Sequence, residues 1–223
     1  MPERLDSMTD VSALYGLRLR TPRLELRLGS RAELEALAGV ATAGIHPPDE
    51  MPFAVPWTDA GADPAFVTDF VSHHEQTLAA WTPEDWRLNL LVFHDGAPVG
   101  SQALRATGFS VERTVDTGSW LGSASQGRGL GTEMRAAVLE LAFGHLGARA
   151  AMSGWLEGGA AQSAGVSARL GYREVGTHTE RPRGEPVVHH DLLLARSDWT
   201  RPVRVEVEGV GPCLALFGAA ESA

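Results

Sequence analysis

The segment Ser119–Phe143, SWLGSASQGRGLGTEMRAAVLELAF, constrains the fold of this 223-residue chain more than any other stretch. An apolar run ends at Leu121, glycines follow at 127, 129 and 131, and a helical pattern begins in which Met134, Val138 and Leu141 share a face. A strand, a glycine turn and a helix start in that order make an anion site. The first turn of a helix carries free N–H groups and the positive end of the helix dipole. Glycines in front of it let a phosphate approach the main chain without meeting side chains. The helix is predicted from about Gly131 to His145.

The rest of the chain gives an α+β order. Residues 1–16 read as a loosely ordered lead. Leu17–Leu28 alternates apolar and charged residues, the period of one half-buried strand. Ser30 caps a helix whose inward face is Leu34, Leu37, Ala38 and Ala41. The proline-rich IHPPDEMPFAVPWT is a long loop that offers Met51, Phe53, Val55 and Trp57 to a pocket. Asp63–Pro64 opens a second helix with Val67, Phe70, Val71, His74 and Leu78 on its stripe.

Leu88–His94 and Ala97–Ala106 form a hairpin turned at Asp95–Gly96. Val111–Leu121 is the next strand. Ala148–Leu156 reads as a strand, Ala161–Leu170 as a helix, and Tyr172–Thr179 and Val187–Ala195 as strands. The expected unit is β α α β β β α β α β β around one sheet over 17–200, with one or two further strands in a 201–223 extension.

Two phosphate motifs fit the glycines poorly. A P-loop needs Lys and then Ser or Thr after its last glycine, and Gly131 is followed by Thr132 and Glu133. A dinucleotide fingerprint needs a third glycine where Thr132 stands, and it belongs on an early strand of a repeated βαβ unit. Gln126-Gly127-Arg128-Gly129-Leu130-Gly131 instead resembles Gln/Arg-x-x-Gly-x-Gly/Ala, the acyl-CoA diphosphate signature of the GNAT acyltransferases. Asp116–Leu121, GTEMRAAVLELAF, Ser163, and Arg169-Leu170-Gly171-Tyr172 resemble the surrounding motifs of that family. TPRLELR and LLLARSDW are similar to its RimJ/RimL-like branch, whose members acetylate protein N-termini, small amines or antibiotics.

The resemblance implies a GNAT fold, with a mixed central sheet splayed at the acyl-CoA site and helices on both faces. It also implies transfer of an acyl group, acetyl or succinyl, from acetyl-CoA or another acyl-CoA to a primary amine. Gly127, Arg128, Gly129, Leu130, Gly131 and Thr132, preceded by Gln126, would hold the diphosphate, with Ser163 on the following helix. Trp120, Leu121 and Gly122 would line the thioester, the last two offering N–H groups to its oxygen. Asp116 takes the place of an acidic residue common in the branch and is the candidate base. Ser167 stands where many members have the tyrosine that reprotonates the CoA thiolate, and is the candidate for a role at that sulfur. Ala160 replaces the asparagine usual at the head of the second motif. That departure keeps open a non-catalytic acyl-CoA-binding module.

Composition narrows the classes. A formal charge of −9, from 28 acidic and 19 basic side chains, argues against a nucleic-acid partner and suits an amine acceptor. The single cysteine, Cys213, rules out a disulfide framework within the chain and a cysteine zinc site. Adjacent His189 and His190 point to opposite faces of a strand, and no His-x₃-His spacing occurs, so no metal is expected. The polar start MPERLDSMTD lacks a signal-peptide core and no window reaches 18 apolar residues. A cytoplasmic protein without a membrane partner is expected, and the extension leaves a homodimer open.

Overall fold

The computed structural model describes residues 9–159 and 161–219. Nine strands form one sheet in the order β7-β8-β6-β5-β4-β3-β2-β1-β9. They are β1 Arg18–Arg20, β2 Leu24–Arg27, β3 Asp85–His94, β4 Ala97–Thr107, β5 Thr114–Leu121, β6 Ala150–Leu156, β7 Arg173–Glu180, β8 Val187–Ala195 and β9 Glu206–Glu208. Only β5 and β6 run parallel; every other neighbouring pair is antiparallel. The helices are α1 Arg31–Thr42, α2 Phe66–Ala79, α3 Phe109–Glu112, α4 Leu130–Glu140 and α5 Ala161–Arg169.

Strand alternation sorts the core into two layers. Leu88, Leu90 and Val92 of β3 pack with α4 in the main cluster, while Leu91 and Phe93 pack with Leu34, Leu37, Phe66, Phe70 and Val71 of α1 and α2 on the other face. The α1 stripe is Leu34, Leu37, Ala38 and Ala41, as its periodicity predicts, and Ser30 and Glu33 cap it reciprocally. The β3–β4 hairpin turns at Asp95 (φ 51°) and Gly96 (φ 78°), the left-handed pair that a two-residue turn requires.

Several expectations need correction. Leu17–Leu28 is a hairpin of two strands, because Thr21 accepts from the Leu24 N–H and Pro22 interrupts the ladder. The stripe of α2 turns in Phe66 and leaves Val67 39% exposed. The strand expected from Val111 begins at Thr114. Left-handed Gly108 and Arg113 bracket one helical turn, α3, that buries Phe109. In the lead, Ser12–Gly16 forms a 3-10 turn with Leu14 fully buried, while residues 1–8 lie outside the described residues.

The extension contributes one strand, β9, paired with β1, and then a 3-10 segment, Gly211–Phe217, that enters the core. Trp81 Nε1 donates to Leu216 O at 2.8 Å and Trp86 Nε1 to Phe217 O at 3.2 Å. The Phe217 ring sits 4.9 Å from that of Trp86. Among the described residues, no helix is long and apolar enough to cross a membrane.

Candidate active site

Strands β5 and β6 pair only at Thr114–Ala150, Val115–Ala151 and Asp116–Met152. Beyond Asp116 they part, and the edge of β5 from Thr117 to Leu121 faces a gap. The Gly122 N–H donates to Val99 O at 2.9 Å, so by antiparallel alternation the main-chain groups of Ser119 and Leu121 turn away from β4 and into the gap. Of the two N–H groups expected near a thioester, Leu121 therefore faces the opening and Gly122 is committed to β4.

Below the gap lies the glycine turn. Gly127 (φ 71°) and Gly129 (φ 79°) are left-handed, and a Cβ on Gly127 would meet only open space. Gly129 is the N-cap of α4 and supplies no side-chain cap, leaving first-turn N–H groups for an external acceptor. The Arg128 side chain is exposed, Leu130 is core, and Thr132 is half-buried. Gln126 instead braces the mouth, donating from Nε2 to Ile45 O at 2.7 Å and Leu121 O at 2.8 Å.

Arg23 and Glu133 hold this turn in place. Arg23 Nε donates to Glu133 Oε2 at 2.7 Å, and Nη1 to Arg128 O at 3.0 Å; Thr21 Oγ1 donates to Glu133 Oε1 at 2.5 Å. Burial pushes the Glu133 carboxyl up, but the bonds from Thr21 and Arg23 outweigh it and hold the group below its ordinary value. The one carboxylate in the first turn of α4 is thus neutralised and turned toward β1 and β2.

A cavity of about 480 Å³ runs from Gly131, Met134 and Ser163 past Ser119 and Arg135 to Asn89 and Arg105 on the opposite face of the sheet. Arg135 is 3% exposed. Its guanidinium donates from Nη1 to Ser167 Oγ at 2.8 Å and Ser153 Oγ at 3.3 Å, and from Nη2 to Ser119 Oγ at 3.1 Å. Nε has no protein partner among the described residues. Burial pushes this arginine below its ordinary range, which marks a cation short of negative partners. Ser167, expected near the reacting sulfur, is fully buried as the acceptor for Arg135. Ala160 lies outside the described residues.

On the α1/α2 face the cavity adjoins a chamber of about 510 Å³, walled by Phe53, Trp57, Phe66, Phe70 and Trp120, with Asp63, Asp69, His73 and His74 also lining it. The Trp120 ring stands 5.5 Å from Trp57 and 6.3 Å from Phe70, so its side chain belongs to this chamber. Burial lowers the pKa of both histidines and favours their neutral forms. His74 Nδ1 faces Phe70 O at 2.9 Å and must carry the proton there, leaving Nε2 as an acceptor. Asp116 shares the strand face of Gly118 and Trp120 but lies outside both cavities, with its carboxylate 47% exposed and 3.8 Å from Arg105.

The loop expected to line a pocket does so through Phe53 and Trp57. Arg183, from the turn between β7 and β8, fastens it from above. It donates to both carboxylate oxygens of Asp59, at 2.6 and 3.0 Å, and to Pro48 O at 3.0 Å. Arg135 and Arg183 escaped the sequence reading, while His74 entered it only as a position on the stripe of α2 and Arg23 only within TPRLELR.

Comparison with known proteins agrees with this geometry. The model of the acetyltransferase (GNAT) domain matches residues 23–173. Mycobacterium smegmatis RimJ, solved with CoA-disulfide, superposes with a TM-score of 0.65 at 18% identity, over 82% of this chain and 88% of that one. The microcin C7 self-immunity acetyltransferase MccE, solved with acetyl-CoA and AMP, gives 0.62 at 18% identity, over 78% and 93%. A GNAT-family acetyltransferase from Bacillus anthracis gives 0.62 at 14%, over 81% and 99%. At these identities the structural likeness is one of fold, and the domain match, which spans more than half of the sequence, makes the assignment: the chain belongs to the GNAT acetyltransferase family.

Proposed function

We propose that this chain, as a member of the RimJ/RimL-like branch, transfers an acyl group from acyl-CoA to a primary amine by direct attack in a ternary complex. The observation that carries the reading is the uncapped start of α4 behind left-handed Gly127 and Gly129, opening onto the unpaired edge of β5. Main-chain N–H groups from Gly127 to Thr132 hold the diphosphate, with Arg128 and Ser163 beside them. Main-chain groups of Ser119 and Leu121 pair with the pantetheine arm as an added strand would. The CoA-disulfide of RimJ and the acetyl-CoA of MccE support an acyl-CoA donor here.

The reacting end lies against Arg135, which lines the cavity. A cation in a site with little water stabilises the negative charge that gathers on the departing sulfur. Ser167 accepts from Arg135 and, fully buried outside the cavity lining, positions the guanidinium that faces the sulfur. The acceptor enters the aromatic chamber, where Asp63 and Asp69 attract its ammonium form and His74 Nε2 receives the proton. An α-amino group, with a pKa of about 7.7–8.0, is roughly one-tenth neutral at pH 7, whereas a lysine near about 10.4 is less than about one-thousandth neutral. A weak neutral base therefore suits an N-terminal or similarly weak amine.

Acetyl is the first reading of the acyl group. Arg135 favours a second, an acyl chain ending in a carboxylate such as succinyl, because the guanidinium lacks an anionic partner. The test is release of free CoA thiol from acetyl-CoA and from succinyl-CoA across a panel of primary amines. Amine-dependent release is expected, and the preferred donor names the acyl group. Tight CoA binding without amine-dependent release would make this an acyl-CoA-binding module instead.

A further inference from the structure

The β7–β8 hairpin brings together residues that are separated in sequence. His178 on β7 pairs directly opposite His189 on β8, and Asp191 follows two residues later on the same face. Asp191 stands between the two rings. Its Oδ2 is 3.1 Å from His178 Nδ1 and its Oδ1 is 3.1 Å from His189 Nδ1. The ligand atoms of the three residues lie within 4.8 Å of one another.

We propose that His178, His189 and Asp191 form a binding site for a divalent first-row transition-metal ion such as Zn²⁺. Ligands at about 2.0–2.1 Å from a tetrahedral zinc are separated by about 3.3 Å, close to the spacing between Asp191 and each imidazole. Two imidazoles and a carboxylate suit zinc and its neighbours, not magnesium or calcium, and leave coordination positions for water.

A separate feature points the same way. His178 Nε2 lies 3.3 Å from Glu180 Oε1. A metal-binding histidine commonly donates its second ring N–H to a carboxylate, which fixes the tautomer and the ring. Glu180 would hold His178 with Nδ1 turned to the ion. The other ring is placed by the sheet beneath it: His189 occupies the space that a Cβ on residue 154 would fill, and that residue is glycine. His190 cannot join the set. It points to the opposite face, stacked on Trp155 with ring centroids 4.1 Å apart. The proposal is independent of the acyl-transfer reading.

The experiment uses the untagged full chain, stripped of metal by chelation, and titrates it with Zn²⁺ by calorimetry and with Co²⁺ by visible absorption. One equivalent should bind, and Co²⁺ should give the d–d bands of a four- or five-coordinate site. His178→Ala, His189→Ala and Asp191→Asn should each abolish stoichiometric binding. Glu180→Gln should weaken it about 10- to 100-fold, and His190→Ala should leave it unchanged. Circular dichroism confirms that each variant is folded; the wild-type titration decides the matter even if one is not. Absence of a one-equivalent isotherm, or an affinity that survives Asp191→Asn and His178→Ala, would overturn the assignment.

Discussion

Arg135 donates to the Ser167 hydroxyl across 2.8 Å, and its other partners are two more serines. A buried guanidinium without a carboxylate adds little to stability, because desolvation offsets what the hydrogen bonds supply. Arg135→Met should therefore melt within about 1–2 kcal/mol of the wild type. Its turnover with acetyl-CoA should fall at least about tenfold if the charge serves the departing sulfur. Parallel kcat/KM measurements with acetyl-CoA and succinyl-CoA separate the two roles. Equal losses assign Arg135 to the sulfur, and a loss confined to succinyl-CoA assigns it to the acyl carboxylate. Full activity with both donors would remove it from the reaction.

The base is tested by a pair of variants. Asp116 lies outside the cavities and His74 lines the chamber. Asp116→Asn should change kcat less than about threefold, while His74→Gln should lower it at least about tenfold, within the range of general-base effects. The pKa of His74 is depressed by burial. The wild-type to variant rate ratio should therefore rise with pH below the ordinary histidine value and level off above it. The opposite ranking of the two variants would return the role to Asp116.

Glu33 gives a stability prediction with a definite pH window. Hydrogen bonds from Arg27, with lesser ones from Ser30, outweigh desolvation and lower its pKa from 4.5 to about 2. A depressed carboxyl contributes stability that is complete above its unfolded value and is lost as pH falls from about 4.5 toward 2. Because the group is partly exposed, its contribution at pH 7 is about 1–2 kcal/mol. Glu33→Gln should lower the Tm at pH 7 and reduce the acid dependence of stability in that window. Denaturant melts across the range check both.

Phe217 tests whether the extension is part of the fold. Its ring is fully buried against Trp81 and Trp86. Phe217→Ala should cost about 3–5 kcal/mol, as for other buried phenylalanines. A loss below about 1 kcal/mol in urea melts would show that the segment packs only loosely.

Much of this architecture was legible because local chemistry and tertiary environment agree. Ser30 and Glu33 announce the start of α1, Asp95–Gly96 the hairpin, and the glycines the corner before α4. The reading failed where a tertiary partner decides. Arg135 lies off the inward face of Met134, Val138 and Leu141, yet α4 is covered on every side and carries it into the core. Arg23 and Glu133 lie 110 positions apart, so nothing local marks their bond. His178 and His189 meet only through strand register, which adjacent-residue spacing cannot reveal. The family resemblance implied a splayed sheet at the acyl-CoA site but not where it opens, and neither strand's composition marks the end of the β5–β6 ladder after Asp116.

The grip of the glycine turn on the donor is tested most directly by a crystal structure grown with saturating acetyl-CoA. The diphosphate should lie within hydrogen-bonding distance of main-chain N–H groups between Gly127 and Thr132, with the pantetheine arm along Ser119–Leu121 and the thioester sulfur beside Arg135. Coenzyme bound elsewhere, or a turn left without phosphate at saturation, would contradict that placement.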